Sequence, residues 1–222
     1  MDIGFLHLHH FTVVIYILLL LAKVILLLAN QKNLLITFSG KTRVIHIGMV
    51  TLMLITGIYL AYRSPVGTAD FSIVKYIALL LGIVLGIIGI KKLSRSLAIA
   101  AILLFGYAYG ISMTNNIFLK GEQTRVKQAL ENFPGNLEEQ RLERGKAIYQ
   151  EACLQCHGEK GDAQFQKAWN LATTPSSDNV KAAAIKYGRN RMPRYDYLTD
   201  SQIADVVAYI NTFKTDAKSS NP

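Results

Sequence analysis

The sequence predicts an all-α protein in two unlike parts, a four-helix transmembrane bundle followed by a small globular helical domain. Three observations predict it. Up to about residue 113 the chain carries four long apolar runs separated by short charged turns. Beyond that point charge rises sharply and apolar residues thin out. The clearest pattern in the charged part, from Thr199 to Phe213, has helical spacing, and no βαβ pattern appears.

The apolar runs are Leu6 to Ala29, Val44 to Tyr62, Phe71 to Ile90 and Leu97 to Met113. Each is about 17 to 24 residues long, enough to cross a bilayer as a helix. The first is too long for the apolar stretch of a signal peptide, and it lacks a basic start and a small-residue cleavage site. It reads as a retained anchor, and residues 1–113 as one membrane domain. The turn after the first run carries Lys32, Lys41 and Arg43, and the turn after the third carries Lys91, Lys92 and Arg95. Positive charge favours the cytoplasm, so both termini are expected on the outer side of a cytoplasmic (inner) membrane. Lys23 and Lys75 lie within snorkelling reach of an interface. Gly82 and Gly86, and Gly106 and Gly110, form small-x-x-x-small pairs that predict close helix packing, within the bundle or with a partner.

Residues 114–136 read as a linker. Within it, Lys120 to Phe133 has the pattern of a short amphipathic surface helix, and Pro134-Gly135 breaks it. Such a tether would hold the next domain near the membrane while letting it reorient. That domain is expected over 137–216, with a disordered tail at 217–222.

The most specific motif of the chain is Cys153-Leu154-Gln155-Cys156-His157, which contains its only two cysteines. C-x-x-C-H is the spacing of covalent haem c attachment: two thiols on one turn add to the two vinyl groups of a porphyrin, and the following imidazole comes under the iron. A thioredoxin-type pair would need a βαβ context. A zinc site would need further ligands, and His157 is the last histidine of five. The candidate second iron ligand is Met192, the one methionine after Gly121, in the polar stretch Gly188-Arg189-Asn190-Arg191-Met192-Pro193. A thioether would stabilise ferrous iron. Lysine ligation and an open site are the alternatives.

With these residues in hand, the segment from about Leu137 to Phe213 resembles a monohaem class I cytochrome c. That family enters its haem motif from a helix with a small residue and an aromatic one turn apart, here Gly145 and Tyr149. It closes with a crossing helix bearing an aromatic, here Thr199 to Phe213 with Tyr209. Thr199-Asp200-Ser201-Gln202 is also a capping box, and Ile203, Val206, Val207 and Ile210 fall on one face. Met192-Pro193 matches the family's distal loop. One departure stands out: the family often has Pro-Asn-Leu after the haem motif, where a carbonyl orients the proximal histidine, and here the stretch is Trp169-Asn170-Leu171. Which carbonyl serves is open. Trp169, Arg189 and Arg191 are candidates for packing on the porphyrin or holding its propionates, with plain core packing the alternative for the tryptophan.

The resemblance implies one covalently bound haem c, placed on the outer face. A second haem is not expected. His7, His9 and His10 lie at the outer end of the first span and His46 at the cytoplasmic start of the second, about a hydrocarbon thickness of ~30 Å apart. Around His46 the membrane half resembles the SirB-type four-helix family in span count and general pattern, and no functional residue is carried over from it. His9, His10 and Tyr76 share the outer leaflet with Tyr59, Tyr62, Tyr107 and Tyr109. An aromatic belt accounts for this cluster, and a quinol or partner site is the sharper alternative.

Of the formal net charge of +9, the chain from residue 120 onward contributes only +2, from 15 basic and 13 acidic residues. Yet Lys181, Lys186, Arg189, Arg191 and Arg194 surround Met192, with no acid between Asn179 and Tyr195. In the resembled fold this loop borders the haem edge, so Lys181, Lys186 and Arg194 are candidate docking residues for an acidic face of a redox partner. Nucleic acid is excluded as a partner on the outer side of a membrane. The expected function is that of a membrane-anchored cytochrome embedded in lipid. It would carry single electrons between a quinol-oxidising complex and a terminal oxidase or similar acceptor, free or as a subunit of such a respiratory complex. The rivals are a small quinol:cytochrome oxidoreductase working at the outer leaflet, and a membrane haem sensor.

Overall fold

The computed structural model describes residues 2–133 and 137–219, so the Pro134-Gly135 break lies outside the described residues. The chain divides into two compact units, one built on residues 1–63 and 67–119 and the other on 120–222 with the short segment 64–66. All the regular structure described is helical, apart from one isolated bridge between Arg189 and Met192.

The first unit contains α1 (Asp2–Leu28), α2 (Lys32–Lys41), α3 (Arg43–Arg63), α4 (Asp70–Lys91) and α5 (Arg95–Thr114). Four of these, all but α2, are long and apolar enough to cross a membrane. Tyr16, Leu20, Val24 and Leu27 line one stripe of α1 and are buried with Met53, Ile83, Ala98 and Phe105. Other leucines, isoleucines and valines of the same helices are exposed, as surfaces facing acyl chains must be. Glycines set the approach of α4 to α5. A Cβ on Gly89 would lie 2.7 Å from the backbone nitrogen of Ala98, and one on Gly86 3.6 Å from the Cβ of Ala101. The second glycine pair does not behave this way. Gly106 has nothing within 4 Å of a built Cβ, and Gly110 meets the side chain of Leu119 rather than another span.

Two expectations about this unit need correction. The first turn is itself helical: α2 packs back on α1, with Leu35 in the same buried cluster as Val24 and Leu27. Lys23 of α1 is only 5% exposed, so it is packed within this unit rather than lying on its surface. His9 and His46 are also closer in depth than expected. His9 Nδ1 lies 2.9 Å from Thr56 Oγ1, ten residues beyond His46 on α3, which is about 15 Å of helix. That is half the separation expected, though still far beyond what two imidazoles on one iron allow.

The second unit contains α6 (Glu122–Leu130), α7 (Arg141–Ala152), α8 (Leu154–His157), α9 (Asp178–Tyr187) and α10 (Asp200–Ser219). Its core joins Ile148 and Tyr149 of α7 to Ile203, Val206, Val207, Ile210 and Phe213 of α10. The start of α10 is fixed by the capping box. Gln202 N donates to Thr199 Oγ1 at 3.2 Å, and Thr199 N donates to Gln202 Oε1 at 2.9 Å. The helix continues to Ser219, so the tail expected from 217 is helical over its first three residues.

The crossing of α7 and α10 depends on Gly145, where a Cβ would fall 2.1 Å from the carbonyl oxygen of Asp205. Tyr149, Tyr209 and Phe213 then meet edge to face, with centroids 5.2 to 5.4 Å apart. Beside them is an ion pair that periodicity could not show: Arg144 Nε to Asp205 Oδ2 at 2.8 Å, both side chains about 95% buried. Arg144 also donates to Leu137 O at 2.7 Å, so the buried cation is well satisfied. Alanine is intrinsically favoured over glycine in a helix by ~1 kcal/mol, so the sign of Gly145→Ala tests the crossing. We expect a loss of about 3 kcal/mol from overpacking against backbone, read as a lower urea midpoint. A gain in stability would show that the helices do not cross here.

The largest departure from expectation is α6. It is not a surface tether. Val126 is 2% exposed in the domain core, and Arg125 Nε pairs with Glu151 Oε2 at 2.7 Å while its Nη2 donates to Glu151 O at 3.1 Å. Between α5 and α6 only residues 115–121 lie outside the helices, and 115–119 of these belong to the first unit.

Candidate functional site

Cys153 to His157 form a single helical turn continuing α7. Cys153 N donates to Tyr149 O at 2.8 Å, and His157 N to Cys153 O at 3.1 Å. Both thiols are therefore held on one short rigid piece of backbone, and they are not joined to each other. Gly158 follows with φ +75°, which turns the chain back so that Ala163 N donates to His157 O at 3.0 Å. Tyr149 OH donates to Gly158 O at 2.7 Å and locks this turn to the core.

The Met192 loop is built in a parallel way. Gly188, with φ +74°, ends α9, and a Cβ there would meet Met192 O at 2.8 Å. Arg189 and Met192 exchange backbone hydrogen bonds of 3.2 and 2.9 Å across Asn190-Arg191, forming a tight loop that Pro193 leaves.

These two pieces line one cavity of about 390 Å³, together with Phe165, Ile185 and Ile210 and with Trp169, Arg189 and Arg191. The volume is in the ~300–1,000 Å³ range of cofactor pockets. The structure brings together all the residues expected to hold a porphyrin: two thiols, an imidazole, a thioether, apolar walls and two arginines. It also answers which carbonyl orients the histidine. His157 Nδ1 lies 3.0 Å from Trp169 O. A carbonyl only accepts, so Nδ1 carries the proton and Nε2 keeps its lone pair for a metal. Tryptophan serves here as well as proline because only its backbone is used. Burial lowers the pKa of His157 against a smaller opposing effect of the Trp169 carbonyl, which favours the neutral ligating form. Burial pushes the Cys153 thiol up to about 12, with Glu122 and Cys156 adding to it, and raises Cys156 as well. Half-buried thiols with raised pKa values are poor free nucleophiles, unlike those of a dithiol redox centre.

Trp169 is not a core residue. It is 44% exposed, and the Arg189 guanidinium lies over its ring at 4.3 Å from the centroid. The three expected docking residues are not free cations. Lys181 is held by Asp178 and Asn211, with only 9% of its side chain exposed. Lys186 Nζ lies 2.6 Å from Asp200 Oδ1, and Arg194 Nε lies 3.3 Å from Asp196 Oδ2. The acids absent from the local sequence arrive from α10 and from the ends of the segment, while Arg189 and Arg191 line the cavity.

In the membrane unit, Thr56 Oγ1 donates to Leu52 O at 2.7 Å, so His9 Nδ1 donates to Thr56. Tyr76 OH donates to Gly67 O at 3.1 Å, and Lys75 lies over the Tyr76 ring. His10 is exposed, with its ring centroid 6.4 Å from that of His9. His9 Nδ1 and the Tyr76 hydroxyl are thus both engaged within the membrane unit.

A helix ending in C-x-x-C-H, crossed by a C-terminal helix over a cavity with a methionine loop, defines a c-type cytochrome domain with covalently bound haem c. The comparisons agree. Residues 140–210 match the family described as cytochrome c oxidase, cbb3-type, subunit III. Cytochrome c6 of Cyanidium caldarium is 31% identical over 74 residues, which cover 31% of this chain and 68% of that protein. Through this domain the chain belongs to the cytochrome c family. No solved structure matches it. The domain implies electron transfer with a redox partner, and the four apolar helices mark a membrane protein.

Proposed function

We propose that this protein carries single electrons on the outer face of a cytoplasmic membrane, between a quinol-oxidising complex and a terminal oxidase or similar acceptor. Cys153 and Cys156 hold the porphyrin by thioether bonds, and His157 Nε2 and Met192 Sδ hold the iron. The bound haem supplies a one-electron couple. The protein's part is to fix the imidazole through Trp169 O, to present a thioether, and to keep water from the apolar walls. Arg189 and Arg191, which line the cavity, face the propionates or an acidic partner. The single observation that carries the reading is that one cavity gathers the residues of the C-x-x-C-H turn and the methionine loop. The basic residues of the turns after α2's preceding span and after α4 support the outer placement. The match to an oxidase subunit family supports a place within or beside a respiratory complex.

Isolation of the native protein in mild detergent tests it. The expected result is co-isolation, or rapid electron exchange, with a quinol-oxidising or oxygen-reducing complex. Reduction of the purified chain by quinol alone, at the rate of a working enzyme, would overturn it.

A further inference from the structure

Glu122 belongs to the stretch that the sequence assigns to a linker, and it lies outside residues 140–210 that match the cytochrome family. The structure gives it a fixed place. Glu122 opens α6, and Val126, one turn later, is buried in the core against which Ala152, Cys153 and Leu154 pack. Tyr197 OH donates to Glu122 Oε1 at 2.8 Å. The Tyr197 ring lies 6.1 Å from that of Tyr195, whose hydroxyl donates to Ala152 O, one residue before Cys153, at 2.9 Å. A chain of contacts thus runs from the carboxylate to the attachment turn. The carboxylate therefore sits on the side of the domain core that carries the attachment turn. The nearby cation does not cancel it at contact, because Arg125 is spent on Glu151 while Glu122 is held by a neutral phenol.

We propose that Glu122, carried by α6 and held by Tyr197, is a carboxylate that lowers the reduction potential of the haem from its Cys153–Cys156 edge. A fixed negative charge stabilises the iron in its more positive ferric state, and it does so more strongly in a half-buried setting than in water. Glu122 is a positioning residue in this role: it touches neither the iron nor a partner. The residue joining the membrane connection to the cytochrome therefore helps to set the driving force of electron transfer. This rests on the haem c reading.

The test is the midpoint potential of the haem-loaded full chain, with the parent protein measured first. Glu122→Gln is expected to raise the ratio of reduced to oxidised haem at a fixed ambient potential by roughly threefold to tenfold, a tenfold change being about 59 mV for one electron. The visible spectrum should be unchanged, and Glu122→Asp should stay near the parent. Glu122→Ala provides a second charge-removing variant. An unshifted potential in either, with the spectrum intact, overturns the proposal. So does loss of haem incorporation in both when Glu122→Asp retains it, since that would make the residue one of folding. A parent chain without covalent haem would instead remove the reading on which the proposal rests.

Discussion

A full-length chain carrying Cys153→Ala and Cys156→Ala together is expected to lose all haem that survives denaturing electrophoresis. These are the only cysteines, so no other thiol can form a thioether. Each single variant keeps one bond and should retain haem weakly. The double variant is also left with an apolar cavity of about 390 Å³ between α7, the methionine loop and α10. A cofactor bound to the native state alone stabilises it by mass action, and a covalent one does so without dissociating. The cytochrome unit of the double variant should therefore unfold at a markedly lower temperature, while the membrane helices stay inserted. Haem staining at parental strength would show that the attachment assignment is wrong.

The second large effect is expected at Met192. Gly188 and the Arg189–Met192 bridge fix the backbone of this residue, so changing its side chain alters the ligand more than the loop. Met192→Ala is expected to open one axial position, giving a high-spin component and a site for small gases in the reduced state. Met192→His is expected to restore low spin with two imidazoles. It should lower the potential by on the order of 0.2 V, a fraction of the ~0.8 V that axial ligands span. A low-spin spectrum and unchanged potential in Met192→Ala would exclude the thioether as ligand.

Much of this architecture is legible in the sequence because it is carried by local chemistry. The spans are written in runs of apolar residues. The turn at 153–157 is written in its spacing, and the start of α10 in Thr199 and Gln202. What escapes is set by partners far apart in the chain. α6 looks like a surface helix because one buried residue, Val126, leaves almost no periodic signal, and its anchors Glu151 and Tyr197 are distant in sequence. The basic rim looks free along the chain because Lys186 pairs with Asp200 of α10 and Lys181 with Asn211 of α10 besides its neighbour Asp178. The Arg144–Asp205 pair is separated by 61 residues. Charge counted along the chain is therefore a poor guide to charge in space. Glu122 escapes for the same reason, since its partner Tyr197 is 75 residues away in the chain.

The shortened connection also changes how the two units are understood to cooperate. A tether over 114–136 would have 23 residues, whereas the stretch between α5 and α6 is only residues 115–121. A cytochrome joined to a membrane domain by a short stretch of chain meets membrane-bound partners at high effective concentration. Lengthening 115–121 with a flexible insert is expected to slow exchange with such a partner and to leave the haem potential as it was.

The most direct test of the account is spectroscopy and thiol titration of the purified native chain. The account predicts one covalently bound c-type haem per chain, low-spin in both oxidation states, with a ferric methionine charge-transfer band and no titratable thiol after denaturation. Two free thiols and no haem surviving denaturation would contradict it.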